Sequence, residues 1–299
     1  MLAAARSLGY ELPLSPCSRS RVVTIALDTL ESYYVNRVLA GALAAAQDRD
    51  TLVDTRIVTD HAHSRSPQWV QRLIDAGHLG LITVTRELSE DQLSLIDSTG
   101  LPVVAIDPTQ EEESPVPTIS SANWNGGMRA TRHLISLGHE RIGFVAGPAG
   151  SLPAREREQG YRSAVLEAGL ALDERLVVGG GYTYASGLTA ASQMLALPHA
   201  QRPTALVAVC DVSALGVYEA ARRAGLSVPE DLSVVGYDDT FLAECAAPPL
   251  TTIHQALETM GARAVEAVLD LAAGSARTIG SVQIPTHLVE RASTAPPRH

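Results

Sequence analysis

The 299-residue sequence has few cysteines, few aromatic residues and a deficit of basic side chains. Its three cysteines, Cys17, Cys210 and Cys245, are far apart and form no CxxC pair, which argues against a zinc site or a disulfide framework and favours reduced thiols. The net charge of −10 makes the chain by itself a poor binder of nucleic acid, because phosphate contacts need lysine and arginine. We find neither a secretory signal nor a run of about 18 apolar residues, so we expect no membrane span.

Strand-like and helix-like segments alternate along most of the chain. The hydrophobic share of 45% is enough for a sizeable core. One series begins with a strand at Val22–Asp28 and a helix at Tyr33–Asp48, and a second begins at Arg141–Gly147. Such alternation predicts parallel sheets built from βαβ units. We therefore predict an α/β fold of two similar lobes, with a final helix (Leu257–Ala272) and an extended segment (Ser281–Glu290) that return through both lobes.

The stretch from Leu232 to Gln255 reads LSVVGYDDTFLAECAAPPLTTIHQ. A buried strand here is expected to deliver two adjacent carboxylates, Asp238 and Asp239, to its carboxyl end, where open α/β sheets bind ligands. Carboxylates accept strong hydrogen bonds from hydroxyl groups. We predict that Asp238 binds a neutral, hydroxylated ligand and that Asp239 has a structural role as a cap or an anchor of the hinge loop.

An ordered series of motifs resembles the effector-binding region of the lactose-repressor/galactose-repressor (LacI/GalR) family. VVGYDD followed by PPLTTI, HLISLGHERIGFVAGP, PAREREQGYRSAV and RPTALVAVCD occur in the order and spacing of that family. The resemblance implies a periplasmic-binding-protein-like fold of two Rossmann-like lobes with parallel sheets and with the ligand between the lobes. It also implies three crossovers, which we place near Leu137, His254 and Pro285. The predicted division is a headpiece remnant and hinge (1–21), an N-terminal lobe (22–137 and 254–285), a C-terminal lobe (138–253 and 286–293) and a tail (294–299).

The resemblance also implies residues that bind the effector. Arg155 matches the family's ligand-gripping arginine, and its guanidinium can hold paired hydroxyls, a carboxylate or a phosphate. Asp211 stands where the family reads Asn-Asp, with Cys210 in place of the Asn; the alternative is that Asp211 only caps a helix. Aromatic loop residues are candidates for stacking on a sugar ring or a flat base, with packing as the alternative. The remaining predicted site residues are Tyr33, Tyr34, Trp124, Asn125, Tyr182 and Gln255.

The segment MLAAARSLGY (Met1–Tyr10) resembles the end of the family's DNA-binding headpiece, without the helix-turn-helix that precedes it there. A miscalled gene start and a true truncation both fit this observation. Two prolines interrupt the hinge that follows, so we expect a solvated linker, although Arg19 and Arg21 can contact phosphates. We predict the ligand-sensing and dimerisation core of a cytoplasmic transcription regulator. It binds a small sugar or sugar derivative, forms a homodimer and reaches operator DNA through a headpiece absent from this chain.

Two other functions stay open at this point. A solute-binding protein of a sugar transporter shares the expected fold, and a sugar-binding lobe of an enzyme is the weaker option. GPAG (Gly147–Gly150) meets neither nucleotide-binding fingerprint, and no GxSxG nucleophile motif is present. His61 and His63 lack a third metal ligand at motif spacing. We therefore predict no enzymatic activity, no cofactor, no metal and no membrane partner.

Overall fold

The structure, a computed structural model, describes residues 21–58, 66–109, 116–275 and 280–298. Within these ranges, strands and helices alternate as the sequence predicts, and no helix is long and apolar enough to cross a membrane. The elements in chain order are β1 (Val22–Leu27), α1 (Tyr33–Asp48), β2 (Leu52–Ile57), α2 (Gln68–Asp75), β3 (Gly80–Val84), α3 (Glu90–Thr99), β4 (Val103–Ile106), β5 (Thr118–Ser121), α4 (Asn123–Ser136), β6 (Ile142–Ala146), α5 (Leu152–Glu167), β7 (Val177–Gly179), α6 (Tyr184–Leu195), β8 (Ala205–Ala208), α7 (Asp211–Arg223), β9 (Ser233–Asp238), α8 (Phe241–Cys245), β10 (Thr251–His254), α9 (Leu257–Ala272), β11 (Val282–Ile284) and β12 (His287–Val289).

The first lobe is a parallel sheet with strand order β11-β5-β4-β3-β1-β2. Helices α1 and α9 cover one face, where buried residues such as Val38 and Val265 form a core with the strands. Helices α2 and α3 cover the other face through Trp69, Leu73 and Ile96. Because both faces are buried, the central strands are almost entirely apolar.

The second lobe is a sheet with strand order β12-β10-β9-β8-β6-β7, in which only β12 runs antiparallel to its neighbour among the described strands. Helices α4 and α5 pack on one face around Phe144 and Tyr161. Helices α6 and α7 pack on the other face around Met194 and Leu206. The two-lobed α/β architecture predicted from the sequence is confirmed.

The first crossover lies earlier than the sequence suggested. Helix α4 buries Ala130 and Leu134 against the second sheet, so the chain leaves the first lobe between Ser121 and Asn123 and not near Leu137. The helix follows β5 directly, which is why the alternation of strands and helices alone assigned it to the first lobe. The other two crossovers lie at residues 255–256 and 285–286, next to their expected positions.

The predicted boundary segments differ from expectation where the structure describes them. The predicted tail is joined to the second lobe, because the Ala295 carbonyl accepts a hydrogen bond from His139 Nε2 at 2.9 Å. The side chain of Arg21 donates to the Asp50 carbonyl of its own lobe, at 2.9 Å from Nε. The headpiece remnant and hinge at 1–20, together with His61 and His63, lie outside the described residues.

Two close helix crossings position the second lobe's residues at the cleft. A Cβ atom on Gly127 would lie 2.1 Å from the carbonyl oxygen of Arg157, and one on Gly160 would lie 2.1 Å from that of Trp124. Glycine at both positions therefore lets the backbones of α4 and α5 approach closely. As a result, the first two turns of α4 lie against the stretch of α5 from Arg157 to Gly160, near the carboxyl end of β8 at Val209.

Candidate functional site

A buried arginine on α5 is the centre of the candidate site. Arg157 is only 3% exposed. Its Nε donates to Asn123 Oδ1 at 2.8 Å and its Nη1 donates to the Val209 carbonyl at 2.8 Å. The guanidinium carbon lies 3.8 Å from the ring centroid of Tyr237, within range of a cation–π interaction. These contacts fix the fork of the guanidinium in one orientation.

Asp238 faces this arginine from the end of β9. Its Oδ1 lies 3.6 Å from Arg157 Nη1 and accepts a hydrogen bond of 2.6 Å from Gln255 Nε2. Burial raises the pKa of Asp238 to about 8, although the positive charge of Arg157 acts in the opposite direction. The carboxyl group can therefore donate as well as accept a hydrogen bond near neutral pH.

One acceptor in this cluster has no partner. Gln255 is 1% exposed, and its Oε1 makes no hydrogen bond within the part of the chain that the structure describes. Buried polar atoms are normally satisfied, so an unpaired one beside a carboxyl and a guanidinium group calls for a partner that the chain does not supply. A hydroxyl of a ligand has the right chemistry, because it can donate to this oxygen.

The first lobe contributes a tyrosine–aspartate pair to the same region. Tyr34 donates its hydroxyl to Asp107 Oδ2 at 2.6 Å. Burial raises the pKa of Asp107, and the opposing electrostatic effect of Arg157 reaches it from the other lobe. The charged groups of the two lobes are therefore close enough to influence each other across the space between the sheets.

Unusual backbone conformations occur at the strand ends that carry these acids. Asp107 has φ 44°, Asp238 has φ 113° and Asp239 has φ 57°. Left-handed conformations are uncommon for residues other than glycine, and they concentrate at ligand-binding sites. These conformations turn the chain sharply after β4 and β9. The side chains of Asp107 and Asp238 therefore lie at the carboxyl edges of their sheets.

The other aromatic and amide candidates are partly or fully accessible to solvent. Tyr182 is 36% exposed, and its hydroxyl pairs with Ser151 Oγ at 2.7 Å. Burial is the main reason that the pKa of Tyr182 rises to about 12. Trp124 and Asn125 are exposed in the first turn of α4, and Tyr33 is 43% exposed at the start of α1. These side chains are accessible, whereas Tyr34 is tied to Asp107.

Asp211 does not face the space between the lobes. It is fully buried, and its carboxylate accepts hydrogen bonds from the backbone N and hydroxyl of Thr240 and from the hydroxyl of Thr252, at 2.7, 2.9 and 2.6 Å. Burial raises the pKa of Asp211 to about 6. The predicted contact of Asp211 with the effector is therefore replaced by a structural role that joins α7 to the loop after β9 and to β10.

The arginine chosen from the sequence is two residues from the one at the centre of the cluster. Arg155 is half-buried on the first turn of α5, whereas Arg157 reaches Asp238. Residues two apart on a helix point in different directions. Arg157 belongs to the buried stripe Ala154, Arg157, Tyr161 and Ala164, and a charged residue within such a stripe is the signal that sequence reasoning missed.

Asp239 has the structural role that the sequence predicted. Burial alone would raise its pKa, but hydrogen bonds from Arg291 at 2.6 Å and His254 at 2.8 Å bring the pKa below its ordinary value. Because Asp239 follows β9, His254 ends β10 and Arg291 follows β12, these bonds hold three strands together beside the crossovers.

The described residues include no group of three or more His, Cys, Asp or Glu side chains arranged to hold a metal ion. The candidate site instead offers hydrogen-bond donors, acceptors and aromatic rings to an organic ligand. Few, specifically placed polar groups beside aromatic surface are typical of small-molecule sites.

Comparison with protein families places the chain among transcription regulators. Residues 131–294 match the family described as "Periplasmic binding protein-like domain". The chain is 36% identical to the HTH-type transcriptional regulator CelR of Thermobifida fusca over 72% of this chain and 63% of the relative, slightly less than two thirds of that protein. It is 31% identical to the HTH-type transcriptional repressor CytR of Escherichia coli K12 over 97% of this chain and 85% of the relative.

Solved structures give the same assignment. A structure titled as a complex of the transcriptional regulator CelR with cellobiose matches with a TM-score of 0.84 and 30% identity, over 98% of this chain and 89% of the other. A lac repressor dimer bound to operator and the anti-inducer ONPF matches with a TM-score of 0.79 and 27% identity, over 98% of each chain. Because the matched family, the sequence relatives and the solved structures agree, the chain belongs to the LacI family of transcription regulators.

Proposed function

We propose that this chain is the effector-sensing and dimerisation core of a transcription regulator and that it binds a small sugar or sugar derivative between its lobes. The observation that carries the proposal is the buried cluster of Arg157, Asp238 and Gln255 at the carboxyl edge of the second sheet, with an acceptor left unpaired. The Tyr34–Asp107 pair of the first lobe completes the opposite wall.

The chemistry of this cluster favours a neutral, polyhydroxylated ligand. Arg157 supplies only donors, Gln255 Oε1 supplies an acceptor, and Asp238 accepts or donates according to its protonation. The rings of Tyr33 and Tyr182 offer apolar surface for the face of a sugar. The CelR relative solved with cellobiose supports this class of ligand.

Coupling to DNA follows from the two-lobed architecture. A ligand held by both lobes binds the closed arrangement better than the open one, and it shifts their populations only by that difference in affinity. In a dimer, a change of lobe arrangement alters the spacing of the two DNA-binding headpieces, which must match the half-sites of the operator. The lac repressor structure, a dimer bound to operator, supports the dimer and the DNA contact in this proposal.

A thermal-shift screen against neutral sugars, sugar phosphates and nucleobases tests the proposal. A ligand at 100 times its dissociation constant stabilises the folded state by about 2.7 kcal/mol, which raises the melting temperature measurably. We expect a neutral sugar to produce the largest shift. If no class of compound produced a shift, the proposed sensing function would be rejected.

Variants of the cluster then test which residues bind. Asp238→Asn keeps a residue that tolerates positive φ but replaces the carboxyl group, and we expect at least a tenfold loss of affinity for the identified ligand, about 1.4 kcal/mol. Glu230→Gln, at an exposed position of the same lobe, is the matched control. Isothermal titration calorimetry gives both affinities, and full affinity of Asp238→Asn would remove Asp238 from the site.

The alternative of a solute-binding protein for a transporter is not favoured, because the relatives are named as transcription regulators. The same names support our proposal that the chain is not an enzyme and acts in the cytoplasm. We assign DNA binding to a headpiece and not to the two lobes.

A further inference from the structure

The rims of the two lobes are joined by a backbone hydrogen bond. Leu152 N donates to the carbonyl oxygen of Thr109 at 3.0 Å. Thr109 lies two residues beyond Asp107, after the last strand residue of β4, and Leu152 is the first residue of α5. The bond therefore links the loop that carries one wall of the candidate site to the helix that carries Arg157.

The donor in this bond is a helix-end group. The first N–H groups of a helix have no partner within the helix. At the start of α5, Ser151 Oγ caps the N–H of Ala154 at 3.4 Å, and the N–H of Leu152 remains for an acceptor from elsewhere. The first lobe supplies that acceptor, so the end of α5 is completed only when the lobes are together.

The acceptor is held in place by its own lobe. The hydroxyl of Thr109 donates to Glu87 Oε1. On the other side, Ser151 pairs with Tyr182, which stands at the outer edge of the candidate site. Both partners of the interlobe bond are therefore fixed by neighbours within their own lobes, which reduces the entropy lost when the bond forms.

We infer that the Thr109–Leu152 bond is a latch that stabilises the arrangement in which the rims of the two lobes are in contact and that must break before a ligand enters or leaves beside Tyr182. This inference adds a conformational control to the proposed ligand-sensing function and rests on it. A single hydrogen bond contributes modestly in water, so its loss changes the ratio of open to closed molecules by about two- to tenfold. A bond of this strength suits a reversible latch.

Leu152→Pro removes the donor with little other change. Proline is favoured at the first position of a helix. The preceding residue, Ser151, has φ −96° and ψ 117°, an extended conformation that a following proline permits. Leu152→Ala is the matched control for the lost side chain, because it keeps the N–H group. Glu90→Pro, at the first position of α3, is the control for a proline at an equivalent place in a helix.

Single-molecule fluorescence energy transfer measures the lobe arrangement directly. Dyes are attached at Glu31→Cys and Tyr184→Cys, exposed positions in the first and second lobes, in a Cys17→Ser, Cys245→Ser background. The labelled chain is diluted into unlabelled chain so that transfer within a dimer is avoided. No ligand is added. We expect Leu152→Pro to raise the open-to-closed ratio by about two- to tenfold and both controls to leave it unchanged.

An unchanged ratio in folded Leu152→Pro would overturn the latch. If that variant does not fold, Leu152 is replaced by its α-hydroxy acid, which turns the backbone N–H into an ester oxygen and keeps the side chain; an unchanged ratio there is equally decisive against the latch. Because the measurement uses the free protein, its failure leaves the ligand-sensing proposal standing. A silent ligand screen in turn would remove the control of ligand entry but would leave the effect of the bond on the lobe arrangement standing.

Discussion

At the residue scale, Arg157 and Asp211 have different roles, although both are buried charged residues of the second lobe. The guanidinium of Arg157 has two direct hydrogen bonds to the protein and five N–H groups, so it retains donors for a ligand. Asp211 accepts three hydrogen bonds from threonine donors of its own lobe, which leaves its carboxylate committed to the fold. A buried charge thus marks a binding group only when part of its hydrogen-bonding capacity is unused.

Replacing Asp211 tests this distinction through stability. In Asp211→Ala, the backbone N–H of Thr240 and two threonine hydroxyls lose their buried acceptor, and we expect the free energy of unfolding to fall by about 2–4 kcal/mol. Urea denaturation measures this change. Glu230→Ala, at an exposed position, is expected to alter stability by less than about 0.5 kcal/mol. A loss below about 1 kcal/mol in Asp211→Ala would contradict the structural role.

The crossing of α4 and α5 decides the shape of the site at the element scale. Gly127 and Gly160 allow a backbone approach that no larger residue permits, and this approach sets the position of the helix turn that bears Arg157. Asn123, at the start of α4, then meets the guanidinium at 2.8 Å. The two helices therefore act together in aiming a single side chain.

Gly160→Ala tests this crossing. The added Cβ would lie 2.1 Å from the Trp124 carbonyl oxygen, so the helices must separate. We expect a loss of about 1–3 kcal/mol in the free energy of unfolding, as for other overpacked cores, and weaker binding of the ligand found in the screen. Gly150→Ala is the control, because no atom lies within 4 Å of the added Cβ. Equal stability of the two variants would refute the argument.

The sequence predicted the elements and the general place of the site, because periodicity and strand ends are local properties. It could not assign α4 to its lobe, since the choice depends on which sheet receives Ala130 and Leu134. It also selected Arg155 over Arg157, because exposure on a helix depends on the neighbouring helix. The structural role of Asp211 depends on hydrogen bonds from Thr240 and Thr252. These residues are distant from Asp211 in sequence and meet it only in the folded lobe.

At the scale of the whole molecule, the C-terminal segment closes the second lobe through a buried histidine. His139 is 2% exposed, and its ring contacts Thr204 at 2.9 Å, Ser233 at 3.0 Å and the Ala295 carbonyl at 2.9 Å. Burial lowers the pKa of His139 from its ordinary value of 6.5. The folded state therefore favours the neutral form of the His139 ring.

This histidine gives stability a dependence on pH. Above about pH 6.5 the ring is neutral in both states; as the pH falls below that value, only the unfolded chain takes up the proton, and stability is lost until the lower folded pKa is reached. Asp211 and Asp238, with raised pKa values, act in the opposite sense, so the test is a comparison with a variant.

His139→Gln is expected to be less stable than the unmodified chain, with a difference that shrinks between about pH 7.5 and pH 5.5, by at most about 1.4 kcal/mol per pH unit. Urea denaturation at both values measures it. Ser136→Ala, at an exposed position of α4, serves as the control, with a difference that does not vary with pH. A constant difference for His139→Gln would show that this ring does not titrate as proposed.

The threading of the chain also has a consequence for its synthesis. The core of the first lobe needs Leu257, Met260 and Ile284, although its sheet begins at Val22. During translation, the apolar face that α9 later covers stays exposed while residues 123–254 of the second lobe are made. Aggregation of nascent chains is therefore a particular hazard for this protein. For the same reason, no continuous stretch of the chain contains one whole lobe without residues of the other.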